Sequence, residues 1–483
     1  MIELKNVTFK YGSAEGAAGG IGETVSNGSL KNINLKINEG EFVLLTGGSG
    51  CGKTTILRLI NGLIPNFFEG SLEGSVTVDG FDVSHAELYD TAKSVSTVFQ
   101  NPRSQFFNVD TTSELAFACE NQGMEESEIL RRIDKTVSAL HLEPLMNRSL
   151  FDLSGGQKQK IACASVAVTG NKIILLDEPS ANLDLRTIDE LSGLLKKWNN
   201  EDKTIIVAEH RISYLWELAD RTVVLKEGQI VRELSRAQMD KISEEELHEL
   251  GLRTNRWLSS PQDVRSLSGV EGSKPPLEIK NFRYKYKNGY MALNIPQMQI
   301  PVGKITAITG NNGDGKTTLL NCLCGLGRRS KGSLLYKGKA YNRRQRQKLI
   351  YLVMQDVNHQ LFTESVLDEV LISQAKEDEE EARSILASLD LEDFANRHPQ
   401  SLSGGQKQRV AVASAIASGR NIMLFDEPTS GLDYTHMLQI GEILRNLKAQ
   451  GKTVIVVTHD RELIKECCDC EISLREFNQI SQL

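Results

Sequence analysis

Two eight-residue words carry the first recognisable chemistry. "GGSGCGKT" runs through Gly47, Gly48, Ser49, Gly50, Cys51, Gly52, Lys53 and Thr54. "GNNGDGKT" runs through Gly310, Asn311, Asn312, Gly313, Asp314, Gly315, Lys316 and Thr317. Both fit G-x-x-x-x-G-K-[ST], and a second threonine, Thr55 or Thr318, follows each. Glycines at these places let successive backbone N–H groups turn towards a phosphate, and the helix that opens behind them adds its dipole. Lys53 and Lys316 are the expected contacts to the β- and γ-phosphates, and Thr54 and Thr317 the expected Mg²⁺ ligands. Each word follows an apolar strand-like run (EFVLLT, KITAIT) and precedes a helical pattern (TILRLI, TLLNCL). A chance glycine turn could produce one such match, but not two in that context. Alone, the motif specifies only nucleoside-triphosphate chemistry.

Other residues narrow it. "KIILLDEPS" and "NIMLFDEPT" are apolar runs ending in Asp177-Glu178 and Asp426-Glu427. Such a run suits a strand buried on both faces, with its carboxylates at the sheet edge where ligands bind. Asp177 and Asp426 are expected to hold Mg²⁺, and Glu178 and Glu427 to orient or deprotonate an attacking water. A role limited to capping the next helix is weaker beside two phosphate loops. "LSGGQKQK" and "LSGGQKQR" place Ser154, Gly155, Gly156 and Gln157, and Ser403, Gly404, Gly405 and Gln406, at the start of alanine-rich helices. The serine can cap, and the glycines allow close approach to an anion. His210 and His459 end apolar strands, each 32 residues after its glutamate. A lone histidine is usually structural, but two at equivalent strand ends favour a γ-phosphate contact. Tyr11 and Tyr286 could stack on a base, with Phe9 and Tyr284 as neighbouring candidates.

The chain that positions these groups says nearly everything twice. Ser154 and Ser403, Glu178 and Glu427, Asp184 and Asp433, and His210 and His459 are all 249 residues apart. With 483 residues, two domains are expected. We place them at 1–235 and 277–483, joined by a linker at 236–276 that begins with a short acidic helix in "DKISEEELHELG". The Gly/Ser/Ala-rich stretch 12–29 reads as a loop without an assigned role. The net charge of −7 argues against nucleic-acid binding. No apolar run reaches membrane-span length, and the N-terminus does not read as a signal peptide. Eight cysteines in so long a chain do not form a disulfide framework. Cys467, Cys468 and Cys470 align with Leu218, Ala219 and Arg221 of the first copy, so a structural role is favoured over a metal site.

Taken in order, these words resemble those of ATP-binding-cassette (ABC) ATPases: phosphate loop, Q-loop glutamine, LSGGQ signature, Asp-Glu strand, D-loop (SANLD, SGLD) and strand-end histidine, twice. The resemblance implies an α/β fold of two tandem nucleotide-binding domains. Each would have a RecA-like parallel-sheet core, an antiparallel β subdomain and a helical signature subdomain. It further implies ATP and Mg²⁺ as ligands. Gln100 and Gln355 would act at the catalytic and metal centre, and two competent sites would lie between paired cassettes. Lys53 would then share a nucleotide with Ser403 and Gly405, and Lys316 with Ser154 and Gly156.

"FQNPRSQFF" at 99–107 and "MQDVNHQLF" at 354–362 resemble the Q-helix of energy-coupling-factor importer ATPases more narrowly. Asn101 and Asp356 are candidate caps, Pro102 suits a first helical position, and Gln105 and Gln360 are the second glutamines. Arg103 stands where that family's motif has an acidic residue, and the second copy lacks Asn-Pro, so unequal docking faces are expected. The implied setting is the cytoplasmic face of a membrane. A transmembrane coupling subunit would dock near Gln105 and Gln360, with a separate membrane subunit binding the substrate. That substrate class is a vitamin, a vitamin precursor or a transition metal. The alternatives are the tandem ATPase of another importer, such as a monosaccharide system, and a soluble ribosome-associated ATPase.

Overall fold

The computed structural model describes residues 1–12, 28–181, 183–256, 275–287, 289–402 and 404–480, without the side chain of Arg103. Most of the 12–29 loop, much of the linker and Ser403 therefore lie outside the described residues.

The first cassette is built on two sheets. A six-stranded sheet has the order Gln229–Ser235, Arg221–Lys226, Phe42–Gly47, Thr204–Ala208, Ile173–Asp177, Val95–Val98. All its pairings are parallel except the first. The strands Phe42–Gly47, Thr204–Ala208 and Ile173–Asp177 are buried throughout and apolar at most positions because both faces are covered. Alternation then sends neighbours to opposite cores. Val43, Leu45, Ile173 and Leu175 join a cluster with the antiparallel sheet and the phosphate-loop helix. Phe42, Leu44, Ile174 and Leu176 join another with the signature helix and the helix Leu185–Asn200. Each buried aliphatic side chain contributes about 1.5–3 kcal/mol, so a one-residue slip in any strand would invert both cores.

The second sheet is antiparallel, ordered Leu30–Ile37, Ile2–Tyr11, Gly70–Val78, Phe81–Asp82. A helical layer (Thr111–Asn121, Glu126–Leu140) has its own small core with Leu115, Ile129, Ile133 and Val137. The signature helix Gly155–Thr169 belongs to both cores: Ile161, Ala164 and Val168 face the helical layer, and Ala162, Cys163 and Val166 face the sheet. This explains its alanine-rich sequence with no polar stripe, since a helix covered all round needs small apolar side chains.

The second cassette repeats the plan. Its parallel sheet has five strands, in the order Ile350–Val353, Ile422–Asp426, Thr453–Val457, Ile305–Thr309, Cys470–Ser473. Its antiparallel sheet again has four, ordered Met291–Ile300, Leu277–Lys285, Lys331–Tyr336, Lys339–Tyr341. The short acidic helix is Glu244–Glu249, capped by Ser243. Met239, Leu247 and Leu252, in the stretch assigned to the linker, are buried in the sheet-side core of the first cassette. The cysteine cluster holds no bridge: all eight cysteines are free thiols. Cys467 Sγ donates to the Leu463 carbonyl and Cys470 packs 3.3 Å from Thr306 Oγ1.

Candidate functional site

The strand Phe42–Gly47 ends at a glycine with φ 144°, where a Cβ would overlap the Leu225 carbonyl oxygen. Only glycine fits that turn. The helix Lys53–Ile60 begins at once behind the loop. The Lys53 ammonium is buried and donates to the carbonyls of Gly47 (3.1 Å) and Gly48 (3.0 Å), inside its own loop. Lys316 does the same with Gly310 (2.8 Å) and Asn311 (3.0 Å). Ser49, Gly50, Asn312 and Gly313 lie exposed at the two loop tips. The loops are braced differently. Asp314 Oδ2 accepts from Asn311 N (2.6 Å), bracing the second loop from within, where the first loop has Cys51.

Thr54 Oγ1 donates to Asp177 Oδ1 at 3.0 Å, and a Thr317 hydrogen bond likewise reaches Asp426. Burial, with the adjacent Glu178 charge second, pushes the Asp177 carboxyl up to about 6. Burial also raises Asp426. A hydroxyl and a buried carboxylate side by side form an oxygen donor set that fits Mg²⁺. Bound there, the ion would offset phosphate charge.

Glu178 and Glu427 have φ of 42° and 49°, left-handed values that cost about 1–2 kcal/mol in a side-chain-bearing residue. Each N–H still donates to the neighbouring strand, at Ala208 O (2.8 Å) and Val457 O (2.9 Å), so the strain is held by the sheet. Glu178 Oε2 accepts from Gln100 Nε2 (2.6 Å), and its Oε1 lies 3.4 Å from His210 Nε2. That ring nitrogen also lies 3.3 Å from Lys53 Nζ. Burial alone would raise the Glu178 acid. Its contact with His210 and then the Lys53 charge and Gln100 outweigh this, and the net shift is downward. The carboxylate is therefore ionised and able to hold a water by accepting its proton. His459 Nε2 lies 3.5 Å from Glu427 Oε1, the same relation in the second copy.

Tyr11 OH lies 3.0 Å from Thr55 Oγ1, and Tyr286 OH 2.8 Å from Thr318 Oγ1. Phe9 is fully buried, so Tyr11 is the ring available beside its phosphate loop. Arg58, which sequence reasoning passed over, donates to Tyr11 OH (3.0 Å) and sits 3.9 Å above the Phe68 ring.

Ser154 caps the signature helix: its Oγ accepts from Gln157 N (3.3 Å), and Ser154 N donates to Gln157 Oε1 (2.9 Å). Gly155 is exposed, and Gly156 packs against Thr187. In the second copy the helix Gly404–Ala417 includes Gly404, Gly405 and Gln406. Replacing Ser154 by alanine is expected to cost about 1 kcal/mol, read as a lower urea midpoint with unchanged m-value. A much larger fractional loss of ATPase than of stability would show that the serine also contacts nucleotide.

A family model described as "ABC transporter" matches residues 30–181 and 293–430, more than half of the chain. The chain belongs to the ABC transporter family. Two relatives from Treponema denticola, named provisionally as ABC transporter ATP-binding proteins, are 42% and 37% identical. They cover 97% and 99% of this chain and 94% and 95% of their own lengths. Among solved structures, one described as "RNase-L Inhibitor" is similar with TM-score 0.62 over 96% of this chain and 87% of that one. At 21% identity this supports the two-cassette fold alone. The protein is thus an ABC ATPase with two cassettes, and its ligands are ATP and Mg²⁺. Among the described residues, no helix is long and apolar enough to cross a membrane.

Proposed function

We propose that this chain is the ATP-hydrolysing subunit of an energy-coupling-factor importer, bound peripherally at the cytoplasmic face of a membrane. In this reading, 1–235 and 277–483 are the two cassettes and 236–276 joins them. Lys53 shares a nucleotide with Ser403 and Gly405, and Lys316 with Ser154 and Gly156. A transmembrane coupling subunit docks at the Q-helices, a separate membrane subunit binds the cargo, and the cargo is a vitamin, a vitamin precursor or a transition metal.

One repeated arrangement carries this reading. Gln105 Oε1 accepts from Phe99 N at 3.1 Å, and Gln360 Oε1 accepts from Met354 N at 3.1 Å. Each second glutamine therefore turns inward and closes its own loop. Two residues further on, Phe107 and Phe362 stand 76% and 74% exposed, although large aromatic rings are normally covered. A buried glutamate fixes each of them, because Glu114 accepts from Phe107 N (3.1 Å) and Glu369 from Phe362 N (3.0 Å). This changes the expected division of labour: the glutamines shape the loop and the phenylalanines offer the contact. The two faces also differ. The first copy has the helix Pro102–Gln105, whereas the second has a 3₁₀ turn, Val357–His359, capped by Asp356.

The test is co-expression with candidate transmembrane subunits. The wild-type chain is expected to copurify with them and retain a small molecule. Phe107→Asp combined with Phe362→Asp is expected to abolish the complex while ATPase of the isolated chain stays within about twofold, as for surface substitutions. A complex that survives both changes, or a chain that sediments with ribosomes instead, would overturn the proposal.

A further inference from the structure

The two cassettes keep one contact with side chains from different sequence positions. In the first, Glu209 is 3% exposed and directly precedes His210. Its Oε2 accepts from Ser180 N (3.2 Å) and Tyr214 OH (3.0 Å), and its Oε1 accepts from His210 N (2.7 Å) and Arg211 N (3.1 Å). Burial and the Glu209 charge hold the Tyr214 phenol well above its ordinary value, so its hydroxyl stays a donor. The second cassette has Thr458 at the place of Glu209, and its carboxylate lies two residues later, at Asp460. Asp460 is also 3% exposed, and its Oδ2 accepts from Thr429 Oγ1 at 2.7 Å. Its Oδ1 accepts from Leu463 N, capping the helix Arg461–Cys467, and its N–H donates to Thr458 Oγ1 (3.0 Å).

Ser180 and Thr429 are equivalent residues, two places after Glu178 and Glu427. In both cassettes, then, a buried carboxylate from the histidine turn grips the segment that leaves the Asp-Glu strand. The histidine and glutamate joined by this grip lie 3.4 Å and 3.5 Å apart. A buried carboxylate is costly unless fully hydrogen-bonded, so a packing role alone would be served more cheaply by an apolar residue. We infer that Glu209 and Asp460 are positioning residues for ATP hydrolysis: each latches the strand-end histidine to the catalytic glutamate arm, and the latch has moved by two residues between the copies. The hydrogen bonds above tie each carboxylate to the histidine turn and to the segment after the Asp-Glu strand, so nucleotide affinity should not depend on it. The inference rests on ATP hydrolysis and on the roles assigned to Glu178 and His210, and not on the transport reading.

In a chain whose second site is silenced by Glu427→Gln, Glu209→Thr, which copies Thr458, is expected to lower the remaining kcat about 10- to 100-fold, the range for a catalytic group displaced by about 1 Å. KM for ATP is expected to change less than about twofold, since the ligand contacts are untouched. Adding Arg211→Asp, which places the carboxylate as in the second cassette, is expected to restore most of kcat. Glu209→Gln, retaining size and one acceptor oxygen, covers the case in which the threonine variant fails to fold, and is expected to show the same loss in kcat alone. Unchanged kcat in both single variants would overturn the inference. So would a parallel rise in KM, or a double variant that regains its melting temperature but not its kcat. Glu178→Gln in the same background serves as the reference: if it retained turnover, the site assignment itself would fail, whereas its inactivity beside a normal Glu209→Thr would sink the latch alone.

Discussion

Glu178→Gln and Glu427→Gln are each expected to lower ATP turnover at their own site by about 10²- to 10⁴-fold and to leave ATP binding in place. The amide keeps the shape of the side chain and an oxygen for the Gln100 amide at 2.6 Å, but it cannot accept a proton from water. The backbone that presents it, left-handed and tied to the next strand, does not depend on the charge. Because the histidine–glutamate separations differ by only 0.1 Å (3.4 Å and 3.5 Å), the two single variants should behave alike. Steady-state phosphate release checks this. Full turnover in one variant and none in the other would contradict two equivalent sites.

Lys53→Ala and Lys316→Ala should act at a different step. Each ammonium is held by two carbonyls of its own loop, which keeps its charge at the loop; Lys53 Nζ also lies 3.3 Å from His210 Nε2. A charge-assisted hydrogen bond is worth about 1.5–3 kcal/mol, so each substitution is expected to weaken ATP at its own loop by about 10- to 100-fold. The vacated space also leaves loop carbonyls without their donor, which adds to the loss. Nucleotide titration in the corresponding glutamine background separates this from turnover. Unchanged affinity would place the phosphates elsewhere.

Much of this arrangement is legible in the sequence because it is local. Phosphate loops, Asp-Glu strands and strand-end histidines are short words, and the apolar runs around them say which way the backbone goes. The residues that escape sequence reading act through contacts that no motif or fixed spacing announces. Glu114 and Glu369 are ordinary helix glutamates until the fold brings them under the exposed phenylalanines. Gln105 and Gln360 stand out in sequence, but only the structure shows that they bond inward to Phe99 and Met354. Glu209 and Asp460 are invisible to an alignment of the two copies, because equivalent contacts arise from positions that do not align. Met239, Leu247 and Leu252 carry too few apolar positions among charges to reveal that they join a core. Ser403, on which half of the proposed shared site depends, lies outside the described residues.

The central claim is that one chain holds two ATP sites of the same kind. The most direct measurement is the amount of ATP retained by the Glu178→Gln/Glu427→Gln double variant after rapid desalting with Mg²⁺ present. The account predicts two ATP per chain, falling to one when either Lys53→Ala or Lys316→Ala is added. One ATP per chain in the double variant, or loss from only one of the two lysine substitutions, would contradict it.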